Sequence, residues 1–139
     1  MKNGDKKNMK AIAMTGLKKI EIIDVDTPQI TDDEVLTKTL YTSISPGSYI
    51  QRFTGEDSRL TGGGVSYPFI TGYLNVGEVV EVGKNVKKYK VGDILNVLCS
   101  VRQTSCALYN GTDAEYQAVN VNVPFVIKLT GDSRHSAFQ

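Results

Sequence analysis

Few residues of this 139-residue chain can do chemistry, and they are unevenly placed. The two cysteines, Cys99 and Cys106, have six residues between them. That spacing could form a disulfide or half of a metal site, but the expectation is two unpaired thiols. The only histidine, His135, lies near the C-terminus. Gly62-Gly63-Gly64 lacks the G-x-G-x-x-G spacing of a dinucleotide-binding turn, and no apolar strand leads into it. Ser45, Ser48 and Tyr49 crowd into five residues, with Arg52 just after them and Tyr73 further on. A Tyr or Ser hydroxyl can polarise a substrate carbonyl or donate a proton to it. Arg52 can meet an anionic substrate or a cofactor phosphate, or equally be a solvated helix residue. Structural roles compete: Ser45 as a plain N-cap, Tyr49 and Tyr73 as amphipathic packing.

The elements that must position these groups are mostly strands. Residues 1–8 read as a disordered lead. Lys10 to Thr15 and Lys19 to Val25 form two strands joined by a turn at Gly16, with Ile20, Ile22 and Val25 on one broadly apolar face. Thr27-Pro28 ends the second strand, because proline donates nothing to a ladder and its predecessor avoids helical angles. Val35 to Ile44 is rich in β-branched and aromatic residues and reads as a strand. Ser45 to Phe53 reads as a short helix, with Ser45 as N-cap and Pro46 in the first turn. Thr54 to Ser66 reads as a flexible loop. From Gly77 the order is strand, glycine turn, charged loop and second glycine turn, with Gly83 and Gly92 supplying backbone freedom and Val86 and Val91 tucked under the loop. Asp93 to Leu98, Ala114 to Val121 and Val126 to Leu129 read as further strands. Frequent short strands without helical periodicity predict a mainly β barrel or sandwich.

Composition narrows the function classes. Sixteen basic and fifteen acidic residues leave a formal net charge of +1, which offers no electrostatic case for nucleic acid or a membrane surface. Residues 1–8 carry no apolar signal core, and no run approaches a membrane span. A cytoplasmic location is the default expectation.

The order Gly77-Glu-Val-Val-Glu-Val-Gly83-x-x-Val86, continuing to Val91-Gly92-Asp93, resembles the GroES-like domain of the medium-chain dehydrogenase/reductase superfamily, the zinc alcohol dehydrogenases and their zinc-free relatives. Met9-Lys-Ala-Ile-Ala-Met, Asp33-Glu34-Val35-Leu36, Tyr67-Pro68-Phe69-Ile70-Thr71-Gly72 and Ala114-Glu115-Tyr116 are similar to further family segments in the same order. The resemblance runs from about Lys10 to Leu129. It implies a mainly β fold, a GroES-like partly open β-barrel with one or two short helices. It does not extend to a true co-chaperonin.

The resemblance also shows departures. Where zinc-dependent members carry a catalytic Cys, this chain has Ser45; where they carry His and Glu after the glycine, it has Tyr73 and Leu74. Gly47 stands where a relaying hydroxyl is usual. None of these residues is a good zinc ligand, so no metal site is expected. Ile44-Ser45-Pro46-Gly47 and the segment from Gly72 are similar to a zinc-free branch that includes relatives of threonine dehydrogenase and of bacteriochlorophyllide dehydrogenase. In that branch Thr-Glu follows where this chain has Ser48-Tyr49. The resemblance places Ser45, Ser48, Tyr49 and Tyr73 around the cleft as candidate catalytic groups, with Arg52 as a candidate substrate contact.

Hydride chemistry in this family uses a nicotinamide cofactor held by a Rossmann domain, for which the chain shows no fingerprint. Val126 to Ser133 looks like the last GroES-like strand and the start of a linker helix. The expected organisation is therefore a lead over 1–8, a GroES-like domain over 9–130, and over 131–139 the opening of a linker to an absent Rossmann domain. The expected function is the substrate side of a zinc-independent NAD(P)-dependent oxidoreductase. It would act on a small-molecule substrate, be inactive alone, and need a Rossmann cofactor domain in cis or in trans. The alternative is a stand-alone GroES-like binding or assembly module without enzymatic activity.

Overall fold

Burial alternates along β1 (Asn8–Gly16), which pairs with β2 (Lys19–Asp26) as an antiparallel hairpin. In this computed structural model the described residues are 8–58, 62, 66–98, 101–102, 107–108 and 111–130. The hairpin turn falls at Leu17-Lys18, with Lys18 at φ 55, rather than on Gly16. Register corrects the expected face of β2. Val25 lies opposite Met9 and Ile23 opposite Ala11, facing the core, whereas Ile22 lies opposite Ile12 on the outward side. Ile20 and Ile22, of the same parity, are exposed, and among the described residues β2 stands at the edge of its sheet.

β3 (Glu34–Thr42), β4 (Phe69–Ile70), β5 (Leu74–Val82), β6 (Ile94–Leu98), β7 (Val101–Arg102), β8 (Ala107–Leu108), β9 (Tyr116–Asn120) and β10 (Val126–Leu129) complete the strands, with one helix, α1 (Pro46–Thr54), among the described residues. The first sheet runs β2-β1-β4-β8 and the second β10-β6-β5-β3-β9-β7. All pairings are antiparallel except the short β4–β8 contact. The result is the expected mainly β, partly open barrel. β3 ends at Thr42, short of Ile44, and Ala114 precedes β9, joined only by a bridge to Ala11.

Adjacent residues of β3 face opposite ways, so one strand serves two cores. Val35 packs with Val79, Leu95, Val97, Val119 and Tyr89. Leu36 packs on the other side with Met9, Ile70 and Tyr116, between the sheets. The loop after β5 caps the first core: Tyr89 is buried and donates to the Val126 carbonyl at 3.1 Å. Val86 joins this core as expected, but Val91 is exposed, its place under the loop taken by Tyr89. Gly92 adopts φ +89, a left-handed turn. Gly83 is needed for a different reason than conformational freedom, since a Cβ there would stand 2.5 Å from the Thr31 carbonyl oxygen.

Toward the far end of the same inner face the lining turns polar. Asn75 and Gln117 both reach the Thr39 hydroxyl at 3.2 Å and the Thr112 carbonyl, from β5 and β9 respectively. This buried polar end of the barrel abuts the candidate site.

Candidate functional site

α1 begins where β3 runs out. Ser45 is extended at the N-cap position and Pro46 occupies the first turn, as their residue types dictate, though the Ser45 side chain makes no capping hydrogen bond. Gly55 closes the helix in the left-handed conformation, and the Phe53 carbonyl accepts from Lys18 N at 2.8 Å, tying the helix end to the β1–β2 turn. Ser48 lies in the first turn, partly exposed like Ser45. Tyr49 and Arg52, three residues apart, point inward from one helix face, and Ile50 is exposed.

The two inward side chains meet different partners. Arg52 is 3% exposed, with Nε 3.2 Å from Asp57 Oδ2. The guanidinium expected to face substrate thus sits in the interior, beside a carboxylate that follows the helix by one turn. Tyr49 donates its hydroxyl to Asp113 Oδ2. Burial, and then the hydrogen bond and negative charge of Asp113, push the Tyr49 phenol well above its ordinary pKa, since each disfavours a phenolate there.

Asp113 is the hub. Thr42 Oγ1, at the end of β3, donates to Oδ1 at 2.5 Å, and Thr71 Oγ1, just after β4, donates to Oδ2 at 2.6 Å. The backbone locks the carboxylate in place: Asp113 N donates to the Thr71 carbonyl at 2.9 Å and Ile12 N to the Asp113 carbonyl at 2.8 Å. Asp113 is 4% exposed, and its described partners are hydroxyls rather than cations. Beside it, Asp113 and Thr42 help to floor an open groove of about 290 Å3 walled by Ala11, Ile12, Ile22 and Ala114, with Lys10 and Glu115 also on its lining.

Of the expected site residues, the structure brings Tyr49 into this cluster. Ser45 and Ser48 stand at the start of the same helix, and Tyr73, partly exposed, follows Thr71 and Gly72. Cys99, Cys106, His135 and Ser133 lie outside the described residues. Asp113, Thr42 and Thr71 escape a sequence reading because they come from three separate segments. The one available signal is an acidic residue directly before the Ala114-Glu115-Tyr116 match, at a point where a strand should be apolar. For zinc, the donor set at the three family positions is Ser45, Tyr73 and Leu74, two hydroxyls and an aliphatic chain, which do not fit the ion's preference for thiolate and imidazole. Among the described residues no three of His, Cys, Asp and Glu are grouped as a metal cage. Among them, too, no helix is long and apolar enough to cross a membrane.

Comparison with known proteins agrees with this architecture. Residues 31–130 match the model of the alcohol dehydrogenase GroES-like domain. A D-arabitol-phosphate dehydrogenase of Enterococcus avium is 43% identical over 89 residues, 63% of this chain and 24% of that protein. A sorbitol dehydrogenase of Bacillus subtilis is 38% identical over 86 residues, 62% of this chain and 24% of that protein. The chain thus spans about a quarter of the length of these relatives. Among solved structures, a putative zinc-binding dehydrogenase from Sinorhizobium meliloti bound to NADP superposes with a TM-score of 0.71 at 18% identity, covering 91% of this chain and 40% of that one. A quinone oxidoreductase from Coxiella burnetii gives a TM-score of 0.69 at 24% identity, covering 90% and 38%. With a family model matched over residues 31–130, the chain belongs to the alcohol dehydrogenase GroES-like domain family.

Proposed function

We propose that this chain is the substrate-side domain of a zinc-independent NAD(P)-dependent oxidoreductase, working in the cytoplasm on a small molecule. One observation carries the reading. Where the family holds its zinc, this chain has Ser45, Tyr73 and Leu74, and beside them three hydroxyls converge on the buried Asp113. Without a metal to polarise substrate oxygen, orientation and hydrogen bonding must do that work. Ser45, Ser48, Tyr49 and Tyr73 supply the polar edge of the cleft. Arg52, paired with Asp57, serves it by anchoring the helix that carries Tyr49.

The nicotinamide supplies the hydride acceptor or donor when bound. A Rossmann domain, joined in cis or recruited in trans, would hold it, so the chain alone is inactive. Two measurements test this. Metal analysis of the purified chain should find well under one equivalent of zinc, and a full, tightly held equivalent sinks the zinc-free reading. NAD(P)H fluorescence titration should show no specific binding until a cofactor domain is supplied. Micromolar affinity of the chain by itself would overturn the division of labour, and coenzyme turnover absent even with that domain would favour a stand-alone binding module.

A further inference from the structure

The protons of the cluster all point inward. Thr42, Tyr49 and Thr71 each place a hydroxyl on Asp113, with Thr42 Oγ1 also 3.1 Å from the Leu74 carbonyl and Thr71 Oγ1 3.3 Å from the Ile12 carbonyl, and all of these oxygens accept. A hydroxyl has one proton, so each of these, turned toward acceptors of the protein, can offer a ligand only its lone pairs. This is the opposite polarity to a Tyr or Ser hydroxyl donating to a carbonyl. The groove has the same character. Its other hydroxyl, Thr39, gives its proton to the Ala114 carbonyl; Ala11, Ile12, Ile22 and Ala114 are apolar, and of the charged residues on the lining Lys10 gives its ammonium to Asp24 and its backbone N–H to Glu115. The two carboxylate oxygens are also distinct. Oδ2 is held by Tyr49 and Thr71, while Oδ1 is reached from the groove through Thr42.

We propose that Asp113 is the proton acceptor of this cleft, reached through the Thr42 hydroxyl, with Tyr49 and Thr71 as the positioning residues that hold its other oxygen. The inference rests on the oxidoreductase reading above. A bound alcohol then places its hydroxyl on Thr42 Oγ1. A nicotinamide held by its own domain would supply the acceptor for the hydride that leaves with the C–H electron pair, while the O–H bonding pair becomes the new C=O bond. The released proton passes to Thr42 Oγ1 as the Thr42 proton passes to Asp113 Oδ1. The two electrons would leave with the hydride, and the one proton rests on Asp113 until the open groove returns it to water.

The test needs no coenzyme. The isotope-labelled 139-residue chain is titrated with benzyl alcohol and, separately, with benzaldehyde, reading the Thr42 and Ile12 methyl signals and the Asp113 carboxyl carbon. Benzyl alcohol should shift these signals at concentrations about tenfold lower than benzaldehyde, the factor one hydrogen bond provides. Thr42→Val, nearly isosteric and at an exposed position, and Asp113→Asn should each abolish the preference. Equal or better binding of the aldehyde, a preference that survives Thr42→Val, or no shift at Thr42 with either compound would overturn the proposal. Because binding alone is read, any of these leaves the oxidoreductase reading to its own coenzyme test.

Discussion

Gly72 lies so close to Asp113 that a Cβ built on it would stand 2.5 Å from the Asp113 Oδ1 atom. Its φ is +87, a conformation L side chains rarely adopt. The glycine therefore serves two ends, turning the chain from β4 toward β5 and leaving room for the carboxylate hub. Gly72→Ala should destabilise the fold by about 1–3 kcal/mol from backbone strain alone and displace the carboxylate from Tyr49. Urea unfolding and the Tyr49 phenol titration would follow the two effects. An unchanged midpoint with an unchanged titration would show that the site tolerates a methyl there.

Arg52 and Asp57 form an ion pair with both side chains 4% exposed. Removing one partner of such a pair strands a charge in the interior, at a cost of about 3–5 kcal/mol. Asp57→Ala should therefore be far more damaging than a typical helix-end substitution. The double variant Arg52→Met, Asp57→Leu should recover much of the loss, because it removes both charges and keeps the volume. Chemical denaturation of the two single variants and the double checks this, and strictly additive losses would count against the pair.

Asp93, in the Gly92-Asp93 turn, accepts from the Lys128 ammonium at 2.9 Å and from Lys90 N and Nζ. The Lys128 hydrogen bond, with the Lys90 contacts behind it, lowers its pKa from the usual 3.8 to about 2. A folded pKa below the unfolded one means that the contribution to stability is present above roughly pH 4 and is lost as pH falls toward 2. Thermal midpoints measured from pH 5 to pH 2 should therefore drop for the natural chain. Asp93→Asn should start lower at pH 5 and show a shallower drop, and parallel curves would exclude the linkage.

Glu81 has the opposite sign. Burial raises its pKa above the usual 4.5, and its Oε2 is buried without a hydrogen-bond partner among the described residues. Folded stability is thus highest below the unfolded pKa and falls as pH rises through the raised folded value, because ionising a partly buried carboxylate is costly. Glu81→Gln should raise the thermal midpoint at pH 7, and the gain should vanish by about pH 4, where both forms are neutral. A gain of equal size at both pH values would point to packing instead of charge.

Much of the scaffold was legible locally. Pro46 after Ser45 marks a helix start because proline suits the first turn, and alternating valines around Glu78 and Glu81 mark a strand. Gly92 marks a turn, and there the chain does go left-handed. Such features depend on neighbours within a few residues, so composition and spacing determined them, whereas the family was legible only through the resemblance of several ordered segments.

Tertiary structure decided what those elements do. Asp113 meets Thr42, Tyr49 and Thr71 across separations of 71, 64 and 42 residues, distances over which no periodicity carries information. Tyr49 was recognisable as a polar group of the cleft, but the direction of its proton depends on the carboxylate that folding brings beside it. Arg52 reads as a surface cation until Asp57 and the helix face bury it, and Ile22 reads as core until the sheet ends at β2. Burial and hydrogen-bond polarity belong to pairs of groups, and those pairs exist only once the two sheets have closed on one another.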